Sequence, residues 1–244
     1  MVLYHIIFPW QYELPPGIMI VLSAAGGLTF PIMAYFIVEG YKHTSNLTAY
    51  MKRLAVFGVI SIPFHILVFG MFRFNIMFTI IVSLFCLALY DYIKSKPVFW
   101  SVFVIISLVT ALAFDWFAFG PITVLLYYII KNETMRRFAS GIVAGLAWLV
   151  MGAFTYWGLA QLQAWYSLGG VAAYNARFGI DMIYSMMGNT NLVLSSMFLA
   201  VGSFVSSLLV LNYNGERGRK MKWLFYSFYP IHLAVLGVLS LILT

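Results

Sequence analysis

Long apolar runs separated by short polar clusters dominate the sequence. Each run approaches the roughly 20 residues that a helix needs to cross about 30 Å of hydrocarbon. The pattern predicts eight spans, which cover Gly17–Gly40, Leu54–Met71, Ile76–Ile93, Pro97–Ala113, Trp116–Ile130, Phe138–Ala160, Leu192–Asn212 and Trp223–Thr244. The fifth span is short and is expected to use its flanks. An apolar stretch at Met1–Trp10 has half the length of a span, and it fits an interfacial segment, a half-helix or the end of a longer helix.

The composition supports a membrane protein and excludes the soluble classes. Of the 244 residues, 63% are hydrophobic and only 9% are charged, and the mean hydropathy is +0.95. Soluble domains average about 45–50% apolar and about 25% charged residues. We therefore predict an all-α integral membrane protein, a single transmembrane domain over residues 1–244 with about eight or nine helices. A GxxxG pair at Gly141 and Gly145 is typical of close helix packing.

The basic residues predict the orientation of the chain. The sequence has 14 Lys and Arg against 7 Asp and Glu. If the first long span runs from outside to inside, 12 of the 14 basic residues fall on the inner side, and only Arg73 and Arg177 fall outside. The C-terminus and a long loop at about 161–191 are then outside. The positive charge is explained by membrane topology, so membrane lipids rather than nucleic acid are the expected surroundings.

Ionisable side chains inside predicted spans are costly and are candidates for function. Glu39, His65 and His232 are such residues, and His5 lies at an uncertain depth in the apolar stretch Met1–Trp10. Each has a structural alternative, because a buried neutral histidine often bonds to a carbonyl or hydroxyl, and Glu39, beside Lys42, can form an ion pair with Lys52 or Arg53. Asp115 and Asn75 lie at the outer ends of their spans, where an acidic residue can cap a helix.

The histidines suggest general-base chemistry rather than metal binding. They lie in different predicted helices without an i, i+4 pair, so no metal site is predicted, and the single Cys86 excludes a cysteine cluster. Imidazole titrates in the range that proton transfer requires. On the inner side, Arg53 and the glycine-containing stretch Asn214–Lys220 suit a polyanionic ligand.

Several stretches resemble a known family. Phe30–Thr44 resembles the signature FPIFAFLLVEGFxHT of the TraX family of conjugal-transfer membrane proteins. Further matches keep the family order and lie at Tyr50–Leu54, Ser61–Phe64, Asn75–Thr79, Asn214–Gly218 and Phe225–Leu233. Met1–Ile6 is similar to the family's MxxDHI, with Tyr4 in place of the usual Asp and His5 at the family histidine. His65 stands where the family usually has Asp, and Asp115 and Gly120 match its DYGxxG loosely.

The resemblance implies an acetyltransferase of the bacterial cytoplasmic membrane that acetylates the N-terminus of a pilin-like protein. It also implies acetyl-CoA as the acyl donor, and a histidine of the first helix and an arginine after the second helix at the reaction centre. The expected catalytic residues are His5, Glu39, Asn75 and His232, and the expected donor-binding residues are Arg53, Asn214, Arg217 and Tyr229. His5 or His232 is expected to deprotonate the acceptor, and Asn75 or Tyr229 to bind the oxyanion.

Two other functions fit the same sequence. The first is O-acylation of an envelope glycan, since the acceptor site would be formed by outer loops whose sequence does not specify it. The second is a transport or assembly role without catalysis. A transporter would be favoured by matched, broken helices in two halves of the chain, but the prolines at positions 31, 63, 121 and 230 show no such pairing.

Overall fold

A computed structural model describes residues 1–10, 13–167, 190–216, 219 and 221–243, and for residues 155–167 and 190–193 only the backbone. Ten helices occur in these residues. They are α1 Val2–His5, α2 Pro16–Gly27, α3 Thr29–His43, α4 Leu47–Phe69, α5 Ile76–Tyr92, α6 Lys96–Ala113, α7 Phe119–Ile129, α8 Glu133–Ser167, α9 Thr190–Leu211 and α10 Lys222–Leu243. Strands are absent from the described residues, where Phe74 and Phe114 form one isolated parallel bridge.

The helices confirm the predicted class, an all-helical polytopic membrane protein. Six described segments are long and apolar enough to cross a membrane, and Ile76–Tyr92 and Phe119–Ile129 are shorter apolar helices. The first long segment, Pro16–His43, joins α2 and α3 through Leu28. Helix α8 continues to Ser167, so the beginning of the predicted outer loop is helical. Residues 168–189, which include Arg177, lie outside the described part.

Local sequence signals explain where several helices begin and end. The Asn46 side chain accepts a hydrogen bond from the Ala49 N–H at 2.8 Å and caps α4. That helix ends at Gly70, whose φ of 71° is a left-handed conformation that suits glycine. Asn75 then caps α5 through the Met77 N–H. The last turn of α4 and the start of α5 are thereby fixed on either side of a short loop.

The bundle packs its polar and small residues inside and presents apolar side chains outside. Helix α9 lies against α8 and α2, α10 lies against α4, and α5 lies against α7. Serines 203, 206 and 207 of α9 are buried. Large apolar side chains such as Leu112, which is 83% exposed, cover the outer surface. This inverted distribution is expected for a surface that faces lipid, because lipid tails are as apolar as a protein core.

Glycines allow the closest helix contacts. A Cβ atom at Gly141 would overlap the Ser203 carbonyl, and one at Gly145 would overlap the Phe204 ring. The GxxxG pair is therefore a packing motif, as predicted from its spacing. Gly202 is equally close to the Ala24 carbonyl on the other side of α9. Helix α9 thus contacts α8 and α2 with almost no side chain between the backbones.

Gly202→Ala is expected to destabilise the protein by about 1–3 kcal/mol, because the added methyl group meets a backbone carbonyl that cannot rotate away. The melting temperature in detergent, followed by tryptophan fluorescence, measures the effect. Gly17→Ala is the matched control, because nothing lies within 4 Å of a Cβ atom there. Equal melting temperatures for the two variants would contradict the close packing of α2 and α9.

Candidate functional site

A cavity of about 540 Å³ lies between α1, the junction of α2 and α3, the end of α4 and the turn that precedes α7. Its polar lining includes Tyr4, His5, His65, Arg73 and Asp115. The size is in the range of small-molecule sites, which combine an apolar wall with a few convergent polar groups. The cavity is therefore the main candidate for a functional site in the described part of the chain.

The turn before α7 is held firmly at the edge of this cavity. The Phe74 N–H donates to the Ala113 carbonyl and the Asp115 N–H donates to the Phe74 carbonyl, both at 2.9 Å. The Thr79 hydroxyl donates to the Asp115 carbonyl at 2.6 Å. These three bonds hold the backbone of Asp115 and therefore the position of its Cα atom, from which the side chain extends.

Two residues of this turn adopt an uncommon backbone conformation. Trp116 has a φ of 64° and Phe117 a φ of 47°, although neither is glycine. Such conformations are costly and are concentrated at functional sites. The turn stacks Trp116 on Phe30, with ring centroids 3.8 Å apart, and places Phe117 under the Arg73 guanidinium at 4.6 Å. Both aromatic rings line the cavity.

Two histidines from opposite ends of the chain meet at the wall of the cavity. The Nδ1 atom of His5 lies 2.8 Å from Nε2 of His232. The Nδ1 atom of His232 lies 2.8 Å from the Phe228 carbonyl, which can only accept, so this nitrogen carries a proton. In its neutral form His232 therefore accepts the His5 Nδ1–H. This arrangement leaves a lone pair on Nε2 of His5, which is the chemistry of a general base.

A second pair of ionisable side chains lies at the same cavity. Nε2 of His65 is 3.2 Å from Oδ2 of Asp115. His65 is only 1% exposed, and its Nδ1 atom is buried without a hydrogen-bond partner in the described residues. The Phe69 ring contacts both pairs, with its centroid 4.4 Å from that of His65 and 5.2 Å from that of His5.

Three of the predicted site residues come together. His5, His232 and Tyr229 are neighbours, with ring centroids of Tyr229 and His232 5.4 Å apart and those of Tyr229 and His5 6.3 Å apart. Tyr229 lines the cavity and is 2% exposed. Asn75 is fully buried and engaged elsewhere, since its Nδ2 donates to the Gly58 carbonyl at 2.9 Å and its Oδ1 accepts from the Met77 N–H.

Glu39 lies at the other end of α3, away from the residues that line the cavity. Its Oε1 is 2.6 Å from Nη2 of Arg136, a residue that is 2% exposed, and 3.5 Å from Nζ of Lys42. The same Arg136 bonds to Glu133. Glu39 therefore has a structural partner on α8 instead of Lys52 or Arg53, and its catalytic role stays a prediction.

Of the four predicted donor-binding residues, Tyr229 lines the cavity, Arg53 and Asn214 are not among the residues that line it, and Arg217 lies outside the described part. Arg53 donates from Nε to the Tyr226 hydroxyl at 3.3 Å. Asn214 is exposed in a turn where Gly215 has a φ of 79°, and its side chain accepts from the Glu216 N–H at 3.0 Å. Arg217 lies outside the described residues. A shared site for Arg53, Asn214 and Arg217 stays a prediction.

The structure adds His65, Asp115 and Arg73 to the residues that the sequence selects for the site. The sequence does indicate His65 and Asp115 individually, as an ionisable residue within a span and a carboxylate at a span end. Their contact joins residues 50 positions apart. It depends on how α4 packs beside the turn before α7, and hydropathy carries no information on that packing.

The fold and the cavity define a multi-pass helical membrane protein with histidine and carboxylate groups at one cavity. The family model of the TraX protein matches residues 1–240, so the chain belongs to the TraX family. It is also similar to the probable fimbrial assembly protein FimC, serogroup H1, of Dichelobacter nodosus. The identity is 29% over an alignment of 246 positions, which covers 93% of this chain and 83% of that protein. No solved structure matches.

Proposed function

We propose that the protein transfers an acetyl group from acetyl-CoA to an amine of an extracytoplasmic acceptor, such as the N-terminus of a pilin-like protein. The observation that carries the proposal is the contact of His5 with His232 at the cavity wall. A TraX-family chain that is similar to a fimbrial assembly protein fits an acceptor of this kind.

The proposed chemistry uses His5 as the general base. Its Nε2 removes a proton from the acceptor nitrogen while that nitrogen attacks the acetyl carbonyl carbon. The carbon–sulfur bond then breaks, and the proton held by His5 passes to the leaving thiolate, which gives the amide and free coenzyme A. His232 orients His5 by accepting the hydrogen bond of its Nδ1–H. Tyr229 lines the cavity, and its hydroxyl is proposed to donate to the carbonyl oxygen as negative charge develops there.

The donor is proposed to reach the cavity from the inner side. Arg53 lies 12 residues before His65 on α4, or roughly 18 Å along the helix axis. This separation suits a nucleotide bound at the inner surface with an extended pantetheine arm directed towards the cavity. A cavity of about 540 Å³ accommodates the thioester end of the donor and the end of an acceptor, rather than a complete coenzyme A.

The assay uses purified protein in detergent, acetyl-CoA and a short peptide with a free N-terminus. Release of free thiol, together with a gain of one acetyl group in the mass spectrum of the peptide, is the expected result. A peptide with a blocked N-terminus and a methyl glycoside are supplied in parallel. Acetylation of the glycoside alone would replace the amine acceptor by a glycan hydroxyl.

A fimbrial assembly role without catalysis is the second candidate, because the similar protein of Dichelobacter nodosus is named for assembly. It predicts no thiol release with any acceptor from monodisperse protein. In that case deletion of the gene should alter surface fibres without changing the mass of their subunits. Subunits that lose one acetyl group upon deletion would instead support the acetyltransferase.

We propose that the chain lies in the cytoplasmic membrane with its C-terminus outside, since this orientation places 12 of its 14 basic residues inside. A phosphatase fused after Thr244, which is active only outside, should therefore be active. The same fusion after Lys94 should be inactive. The reverse pattern would overturn the orientation, and the donor would then have to enter beside Arg73.

A further inference from the structure

Acetylation of an amine requires two proton removals, and the cavity holds two separate groups that can accept a proton. At neutral pH a peptide N-terminus is mainly an ammonium ion, which has no lone pair and cannot attack. One proton must leave before the attack and a second as the amide forms. An acceptor hydroxyl needs only the second step. The His5–His232 pair supplies one base, and the proposed function leaves the His65–Asp115 pair without a role.

His65 positions the Asp115 carboxylate through a hydrogen bond. His65 donates from Nε2 to Oδ2 of Asp115. A charged His65 would also carry a proton on Nδ1, which is buried with no acceptor among the described residues, and burial of such an unpaired donor is costly. The hydrogen bond of Nε2 to Oδ2 is therefore the contact by which His65 positions the carboxylate.

The Asp115 side chain lines the same cavity as His5. The side chain of Asp115 is 25% exposed, and Oδ1 has no partner among the described residues. Its backbone N–H and carbonyl are both bonded, to Phe74 and to the Thr79 hydroxyl. The carboxylate is thus directed at the same space as His5 by bonds that do not use Oδ1.

We propose that Asp115, positioned by His65, binds the acceptor's ammonium group and takes its first proton, so that the cavity is specific for amines. The ammonium loses one proton to Oδ1, and the neutral amine attacks the acetyl carbon. Its second proton goes to His5 and then to the leaving thiolate, while the first is released to water from Asp115. This inference rests on the proposed function.

The test is the ratio of wild-type to Asp115→Asn kcat/KM for acetylation of a peptide N-terminus, measured between pH 6 and pH 9. Without the carboxylate, only the amine that is already neutral in solution can react. Since a peptide α-amine has a pKa of about 8, the ratio should be near 1 at pH 9, about 10 at pH 7 and about 100 at pH 6. The other charged and polar groups at the cavity are the same in both proteins, so their contribution largely cancels in the ratio; they are the Met1 amino group, Tyr4, His5, His65, Arg73 and Tyr229.

A constant ratio across this pH range would show that Asp115 is only structural and would overturn the inference, while the proposed function would stand. If the wild-type protein acetylates no amine at any pH, the proposed function itself fails. Asp91→Asn is the matched control, because Asp91 also accepts hydrogen bonds, from Tyr41 and Tyr128, but lies outside the cavity. The ratio of wild-type to Asp91→Asn kcat/KM should not change with pH.

His65→Leu gives an independent test if Asp115→Asn does not fold. This change leaves the carboxylate in place and removes only the N–H that positions it. The ratio of wild-type to His65→Leu kcat/KM should be smaller than that for Asp115→Asn but should still increase below pH 8. The reason is that a misplaced carboxylate accepts the proton less efficiently. If wild-type and His65→Leu proteins have nearly equal kcat/KM at every pH, the positioning role of His65 is contradicted.

Discussion

His5→Ala is expected to lower kcat for acetyl transfer by about 10²- to 10⁴-fold, the usual contribution of a general base. Nε2 of His5 is the nitrogen whose lone pair is left available by the contact of Nδ1 with His232. The acetylation rate of a peptide N-terminus at saturating acetyl-CoA measures the loss. His43→Ala is the control, because its side chain is 80% exposed and lies 3.9 Å from Glu39, at the far end of α3 from the cavity.

Replacing His232, the partner of His5, should also lower kcat for acetyl transfer, but by less than His5→Ala does. His232→Ala leaves the imidazole of His5 in place but removes the acceptor that fixes its tautomer. The double variant should be hardly slower than His5→Ala alone, because the two residues act as one unit. Additive losses in the double variant would show that they act separately. If both single variants keep more than half of the wild-type rate at equal abundance, the base has been assigned wrongly.

The helices were predictable from the sequence because they depend mainly on hydropathy and length. The short fifth span is an example, since α7 is confirmed as a short helix at Phe119–Ile129. Its beginning was less predictable. Trp116 is apolar and continues the run, but the left-handed conformation of Trp116 and Phe117 delays the helix. This conformation depends on backbone bonds to Phe74, a residue more than 40 positions earlier.

Residue contacts within the site were not predictable to the same extent. His5 and His232 are 227 positions apart, and each was selected because an ionisable group inside a span is costly. Neither their relative depth nor the packing of the neighbouring helices follows from hydropathy, so their contact was not predicted. For Glu39 the same rule suggested catalysis, whereas the structure places a buried arginine of α8 beside it.

Asn75 shows a different limit of sequence reasoning. A polar residue at the outer end of a span is compatible with an oxyanion donor and with a helix cap. The structure uses both ends of its amide for the cap of α5 and for a bond to α4. A cap depends only on neighbouring residues and is a common role for asparagine. The local explanation is therefore sufficient for this residue, and its catalytic role stays a prediction.

Arg53→Ala is expected to raise the Kd of acetyl-CoA about 10- to 100-fold. Hydrogen bonds to charged groups contribute about 1.5–3 kcal/mol, and each 1.4 kcal/mol changes the affinity tenfold. Nε of Arg53 is bonded to the Tyr226 hydroxyl, and the guanidinium carbon lies 5.8 Å from the centre of that ring. The contact orients the guanidinium and leaves its two terminal nitrogens for phosphate oxygens.

Two further variants show how much of the acetyl-CoA affinity depends on the charge of Arg53 and how much on the planar shape of its guanidinium. Arg53→Lys keeps the charge but loses the planar fork, so it should restore only part of the affinity. Tyr226→Phe keeps the guanidinium and should weaken binding only slightly. Lys96→Gln is the control, since this lysine also lies over an aromatic ring, that of Tyr90 at 3.7 Å, but on α6. Calorimetry at two salt concentrations measures each Kd, and binding to the wild type should weaken with salt because phosphate contacts are screened. A Kd for Arg53→Ala within twofold of the wild type would remove Arg53 from the donor site without affecting the assignment of His5.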